Sequence, residues 1–142
     1  MADEFHLDRF VRAQEPVIAR VRRELAAGRK DSHWMWFVFP QIAGLGYSAM
    51  ARRYAIQSLA EARAYLEHPV LGSRLVELTR VVNQVKGRSV HEIFGRPDDL
   101  KFHSSMTLFA LAKPDGSAFH DALQRHFGGA LDRGTVERLE HS

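Results

Sequence analysis

Apolar residues recur along most of the chain at intervals of three or four positions, the spacing of one face of an α-helix. Two stripes are the most regular, one formed by Phe10, Ala13, Val17, Val21 and Leu25, and the other by Leu71, Leu75, Leu78, Val82 and Val85. Pro16 interrupts the first stripe and predicts either a kink or two helices, with Pro16 in the first turn of the second. No stretch alternates with the period of a β-strand. The pattern predicts an all-α protein, a single domain over residues 1–142 built as an orthogonal helical bundle.

Helix starts are marked by hydroxyl residues placed just before apolar runs. Ser48 is suited to cap a short helix through Ala55. Ser58 and Ser89 are each followed three positions later by a glutamate, which is the sequence signature of a capping box. Thr135 is expected to cap a short terminal turn. These signals divide the chain into successive helices.

Residues 31–48, here called the aromatic–glycine segment, depart from this pattern. Both tryptophans of the chain lie in the wholly apolar run Trp34–Phe39, and Gly44 and Gly46 follow. The run is too short to span a membrane and has neither helical nor strand periodicity. It therefore predicts an irregular segment, or one with a short helical turn, that is enclosed by the fold or lines a pocket.

A second informative stretch begins at Pro97. Residues 98–111 are apolar nearly all round a helix, so this helix is expected to be central and to pack against the aromatic–glycine segment. Lys101 and His103 face nearly opposite directions, so at most one of them should join a pocket formed there. Ser104 is interpreted as a packing residue, and Ser105, about 100° around the helix, as a candidate site residue.

Composition narrows the functional classes. The chain is 45% apolar and 26% charged, with a net charge of +3, and its basic residues are interspersed with acidic and apolar ones. No nucleic-acid-binding module is visible, so nucleic acid is an unlikely partner and the basic residues are read as a solvated helix face. There is no long apolar run, no signal-peptide pattern at the N-terminus and no cysteine. We therefore expect a cytoplasmic protein without a membrane segment.

Metal and cofactor motifs are absent from the sequence. The chain has eight histidines, but none is arranged in a zinc-binding pattern. Gly44-Leu45-Gly46 resembles a fragment of a dinucleotide-binding loop, yet it lacks the third glycine and a preceding strand. We expect neither a metal nor a cofactor.

The candidate site combines aromatic rings, polar tips and glycine backbone, which together are typical of a small-molecule or anion site. Its predicted members are His33, Trp34, Trp36, Gln41, Gly44, Gly46, Ser48, Lys101 and Ser105. The competing interpretation is that both tryptophans belong to the core, with His33 and Gln41 bonded to loop carbonyls.

These residues also carry a family resemblance. Ser32-His33-Trp34-Met35-Trp36-Phe37, Phe39-Pro40-Gln41, Gly44-Leu45-Gly46, Asp98-Asp99-Leu100-Lys101-Phe102 and Ser104–Phe109 resemble the bacterial domain-of-unknown-function 1810 family, sometimes labelled calpastatin-like. The resemblance covers nearly the whole chain and implies a small, mainly helical domain without an assigned activity. The calpastatin label carries no weight, because the chain shows none of the low complexity of a disordered inhibitor repeat.

Three functions remain open at this level. The first is a binding site for a small molecule or anion in the aromatic–glycine segment. The second is a hydrolase acting on a nucleotide-related, ADP-ribose-like N-glycoside, and it is suggested by a faint similarity around Lys101-Phe102. In this hypothesis Lys101 or Arg29 holds phosphate and Asp98 acts as the base. The third is a protein-interaction module. The sequence does not decide among them, nor does it define the catalytic status, the oligomeric state or a partner.

Overall fold

The computed structural model describes residues 3–141, and over this range the chain forms ten helices. They are α1 (Asp8–Gln14), α2 (Ile18–Ala26), α3 (Met35–Val38), α4 (Ala49–Arg53), α5 (Leu59–Glu67), α6 (Leu71–Gln84), α7 (Val90–Phe94), α8 (Asp98–Ala112), α9 (Ala118–Phe127) and α10 (Arg133–Glu140). The described residues contain no strand, and an isolated parallel bridge joins Ile42 to Ile56. The prediction of an all-α bundle is confirmed. No helix within residues 3–141 is both long enough and apolar enough to cross a membrane.

Helix α8 is the centre of the bundle. Ten of its fifteen residues are buried, and it packs against α5, α7, α9 and α10. Phe102 is fully buried, with its ring centroid 5.1 Å from that of Phe39 in the aromatic–glycine segment. On the next turns, Phe109 lies 5.3 Å from Tyr65 of α5. The expected packing of the aromatic–glycine segment against this helix is therefore confirmed.

Three of the predicted serine caps form. The Ser48 hydroxyl accepts a hydrogen bond from the backbone of Ala51 at the start of α4. Ser89 and Glu92 form both bonds of a capping box on α7. Ser58 caps α5, but the reciprocal half of its box is missing, because the Glu61 carboxylate accepts from the backbone of Gln57 instead. Local sequence signals thus define these helix starts well.

Three details of the prediction were wrong. Pro16 lies in the turn between α1 and α2 rather than in the first turn of α2, which begins at Ile18. Helix α4 ends at Arg53, before Ala55, because the following residues turn into the Ile42–Ile56 bridge. Helix α10 is capped by Asp132 and not by Thr135. The carboxylate of Asp132 accepts from both the backbone and the hydroxyl of Thr135, which lies inside the first turn.

Candidate functional site

The end of the aromatic–glycine segment belongs to a closed loop over residues 41–56. Two backbone hydrogen bonds of 2.8 Å, from Ala43 to Ile56 and from Ile56 to Gln41, join residues 41–43 to the chain that follows α4. The loop between them carries Gly44, Gly46 and helix α4. Beside it lies a recess of about 110 Å³, whose lining includes Trp36, Gln41, Gly44, Gly46, Arg52 and Gln57.

Lys101 brings positive charge to this recess. Its Nζ lies 5.0 Å from the ring centroid of Trp36, within the range of a cation–π contact. Asp98 stands between two lysines, at 2.7 Å from the Nζ of Lys30 and 3.5 Å from that of Lys101. The Lys30 side chain is only 6% exposed and holds the shorter contact, so it largely neutralises Asp98. Two lysines thus share one carboxylate, which leaves one net positive charge in this group beside Trp36.

Arg52 adds a second cation directly to the lining. Among the described residues its guanidinium forms no hydrogen bond or ion pair, and the side-chain amides of Gln41 and Gln57 have no partner either. The described lining contains no aspartate or glutamate. An arginine without a carboxylate partner, next to amide groups and an aromatic ring, favours an anion.

Trp34 is part of the core and not of the recess. It is 1% exposed, and its indole Nε1 donates a 2.9 Å hydrogen bond to Glu24. The Nζ of Lys30 lies 5.0 Å from its ring centroid. Trp36, by contrast, is half-buried and lines the recess. The core interpretation therefore holds for the first tryptophan, whereas the second borders the recess.

The two serines of α8 also differ from each other. Ser104 donates to the carbonyl of Leu100 at 3.1 Å, as expected of a packing serine, and also to Asp132 at 3.0 Å. Ser105 is fully buried, its hydroxyl has no partner among the described residues, and it does not line the recess. The structure thus offers no geometry in which Ser105 reaches a ligand in this recess.

The remaining predicted residues lie around the recess or outside it. His33 is exposed and is not part of the described lining. Ser48 is exposed and serves as the cap of α4. Of the nine predicted site residues, Trp36, Gln41, Gly44 and Gly46 line the recess and Lys101 covers Trp36. His103 faces elsewhere and stacks on Phe127, with 3.9 Å between ring centroids.

Acidic and histidine side chains do not converge on a metal site. Within residues 3–141 no group of three or more potential ligands is close enough to hold an ion. Asp98, the carboxylate considered as a base, lies in the lysine pair described above and does not belong to the described lining of the recess. The described lining of the recess thus offers a guanidinium, two amides and an aromatic ring.

Two arginines beside the recess are not among the predicted site residues. Arg52 belongs to the basic pair Arg52-Arg53, which was interpreted as a solvated helix face. Its neighbour Arg53 is not part of the described lining, and its guanidinium lies 5.6 Å from the ring centroid of Tyr54. Arg138 of α10 lies against Gly44, since a Cβ placed on this glycine would be 2.8 Å from the Arg138 Cζ. No local signal marks Arg138, because this contact joins distant parts of the chain.

The fold and the recess define a small helical protein with basic residues around a recess beside a half-buried tryptophan. The chain belongs to the family described as protein of unknown function (DUF1810), whose model matches residues 4–139. The crystal structure of the conserved hypothetical protein Rv1873 from Mycobacterium tuberculosis is similar, with 59% sequence identity and a TM-score of 0.95. The match covers 97% of this chain and 99% of that one. No curated protein matches the chain, and the calpastatin-like label finds no support in these descriptions.

Proposed function

We propose that the protein binds a small organic anion in the recess beside Trp36. The observation that carries this proposal is Arg52, an exposed residue of the recess lining whose guanidinium has no partner among the described residues. The long side chain of an arginine is costly to order, and a carboxylate partner commonly fixes it. An anionic ligand would supply that partner here.

The surrounding groups support an organic ligand rather than a simple ion. Trp36 offers part of an aromatic ring, and the amides of Gln41 and Gln57 offer donors and acceptors for polar substituents. A cavity of about 150 Å³ holds a benzene molecule. The recess, at about 110 Å³, is therefore of a size to take one small ring or one charged group of a larger ligand.

Binding is favoured over hydrolysis by the same lining. Hydrolysis of an N-glycoside needs a group that takes up or delivers a proton, commonly a carboxylate or a histidine. The described lining contains neither type of side chain. Asp98, the base of the alternative hypothesis, is paired with Lys30 and Lys101 outside it. The proposal therefore assigns recognition and not turnover.

Phenyl sulfate and phenol provide a matched pair of probes, because both carry one ring and only the sulfate is charged. The backbone amide signals of Gly44 and Gly46, followed by two-dimensional NMR during titration, report on the recess. Phenyl sulfate is expected to shift both signals with a millimolar Kd, and phenol to bind at least about tenfold more weakly, the effect of one hydrogen bond to a charged group worth about 1.5 kcal/mol or more. No shift at either glycine up to saturating phenyl sulfate would refute the proposal.

Two charge-removing variants test the role of Arg52. Arg52→Gln is expected to weaken phenyl sulfate binding about tenfold while leaving phenol unchanged, since a hydrogen bond to a charged group is worth about 1.5–3 kcal/mol. Arg20→Gln is the control, because Arg20 is exposed on α2, away from the recess lining, and its loss changes the net charge equally. Equal weakening by both variants would point to a general charge effect and against the site.

A further inference from the structure

The C-terminal helix α10 is held in a fixed position on α8 by Asp132. The Oδ2 of Asp132 accepts hydrogen bonds from Ser104 at 3.0 Å and from the hydroxyl of Thr135 at 2.6 Å. The backbone N–H of Asp132 donates to the hydroxyl of Thr107 at 2.8 Å. Two residues of the central helix therefore define where α10 begins.

From this anchor α10 runs over residues 44–46. Gly134 and Arg138 are four positions apart and so lie on one face of the helix. A Cβ on Gly134 would be 3.2 Å from the Cδ2 of Leu45, which shows how closely the helix approaches the loop. One turn later, the guanidinium of Arg138 lies against Gly44, which itself lines the recess.

Gly44 is suited to this contact for two reasons. Its φ of +96° lies in the region that glycine adopts readily, and a Cβ on it would overlap the Arg138 guanidinium, with 2.8 Å to both Cζ and Nη1. The guanidinium can therefore lie flat against the loop at the edge of the recess. Among the described residues it forms no ion pair, whereas Arg133 of the same helix is paired with Glu137.

We propose that Arg138 is a second arginine of the anion site and that, with Arg52, it selects a ligand with a dianionic group of the phosphate monoester class. This inference rests on the proposed function and deepens it. Arg52 belongs to the recess lining, and Arg138 lies against Gly44 at its edge. Two planar guanidinium groups match the several oxygens and the double charge of a phosphate. A sulfate ester or a carboxylate, with one negative charge, would satisfy only one of them fully.

Phenyl phosphate and phenyl sulfate separate the two charge states on the same ring. At pH 7.5 the phosphate is mostly dianionic, because its second pKa is near 6, and the sulfate carries one charge. The wild-type chain is expected to bind phenyl phosphate about tenfold more tightly than phenyl sulfate, corresponding to one additional charge-assisted contact. The measurement is again the titration of the Gly44 and Gly46 amide signals.

Arg138→Gln is expected to reduce the tenfold preference for phenyl phosphate over phenyl sulfate to less than about threefold. The Kd for phenyl sulfate should change less than about twofold, because Arg138 is proposed to recognise the second negative charge. Arg138 is exposed, so the variant is expected to fold, and its amide spectrum checks this. Arg20→Gln, with the same loss of charge, should retain the full preference.

The outcomes distinguish this inference from the function on which it rests. If phenyl sulfate binds but phenyl phosphate is no tighter, or if Arg138→Gln keeps the tenfold preference, the dianion inference is overturned and the anion site stands. If neither ligand shifts the glycine signals, the proposed function itself is refuted. A loss of preference in Arg20→Gln equal to that in Arg138→Gln would also overturn the role of Arg138.

Discussion

The indole Nε1 of Trp34 and the carboxylate Oε1 of Glu24 lie 2.9 Å apart, and this contact ties the aromatic–glycine segment to α2. The same carboxylate accepts from the backbone of Asp31 at 2.8 Å and from the backbone and hydroxyl of Ser32 at 3.1 and 2.7 Å. One side chain thus satisfies the donors of the turn that leads into the tryptophans. A half-buried carboxylate with this many donors is stable only when it is ionised.

Glu24 should therefore make folding sensitive to acid. Burial raises the pKa of Glu24, but the hydrogen bonds from Ser32, Asp31 and Trp34 together outweigh it and hold the pKa below its usual value of 4.5. A carboxyl group with a lowered folded-state pKa contributes stability that is present above the unfolded value and lost as the pH falls through the folded value. Urea unfolding at pH 7, 5, 4 and 3 should show this loss beginning below about pH 4.5.

Glu24→Gln isolates that contribution. The variant is expected to be less stable than the wild type by about 1.5–3 kcal/mol at pH 7, the worth of hydrogen bonds to a charged group. The difference should shrink as the pH falls, because the wild-type carboxylate is then protonated. Glu4→Gln is the control, since Glu4 is exposed and forms none of the bonds described here. A difference that stays constant down to pH 3 would contradict the assignment.

Substitution of the two tryptophans should have unequal effects on stability. Trp34→Ala is expected to cost about 3–5 kcal/mol, the range for a fully buried aromatic side chain. Trp36→Ala should cost only about 1–2 kcal/mol, because the ring is half-buried and loses only part of a core contact together with its contact with Lys101. Chemical unfolding of both variants measures the difference, and a greater loss for Trp36 would show that the recess is closed in solution.

Sequence reasoning recovered the features that depend on neighbouring residues. The capping box of Ser89 and Glu92 and the apolar stripe of α6 both act within a few positions, so the pattern of residue types determines them. The central position of α8 followed from its apolar character on all sides. These signals are local, and the observed helices agree with them.

The site depends on contacts that no local pattern encodes. Trp34 and Trp36 look alike in sequence, but one lies before α3 and the other inside it, so they point into different surroundings. The position of Arg138 at Gly44 depends on the anchoring of α10 by Asp132, which joins residues far apart in the chain. Such a contact becomes visible only when the helices are placed in three dimensions.

Alanine substitution of the two adjacent serines of α8 is expected to change the stability of the protein in opposite directions. Ser104→Ala is expected to cost about 1 kcal/mol, because it removes the bonds to Leu100 and Asp132. Ser105→Ala should be neutral or stabilising by up to about 1 kcal/mol, since its buried hydroxyl has no partner among the described residues. Thermal and urea unfolding of the two variants make the comparison, and a larger loss for Ser105→Ala would reveal a bonded hydroxyl.

The close approach of α5 and α6 depends on Gly72. A Cβ on this residue would collide with the backbone carbonyl oxygen of Leu66, which cannot move aside as a flexible side chain would. Gly72→Ala is therefore expected to cost about 2–3 kcal/mol through overpacking, despite the better helix propensity of alanine.

Gly87→Ala provides the comparison for Gly72→Ala. Gly87 has a φ of +75°, and no described atom lies within 4 Å of the position that a Cβ would take, so its substitution introduces backbone strain without a collision. That strain should cost about 1 kcal/mol. Urea unfolding of both variants separates the two effects. If Gly72→Ala proves as stable as the wild type, the two helices have room to separate, and the contact between them is looser than the backbone geometry indicates.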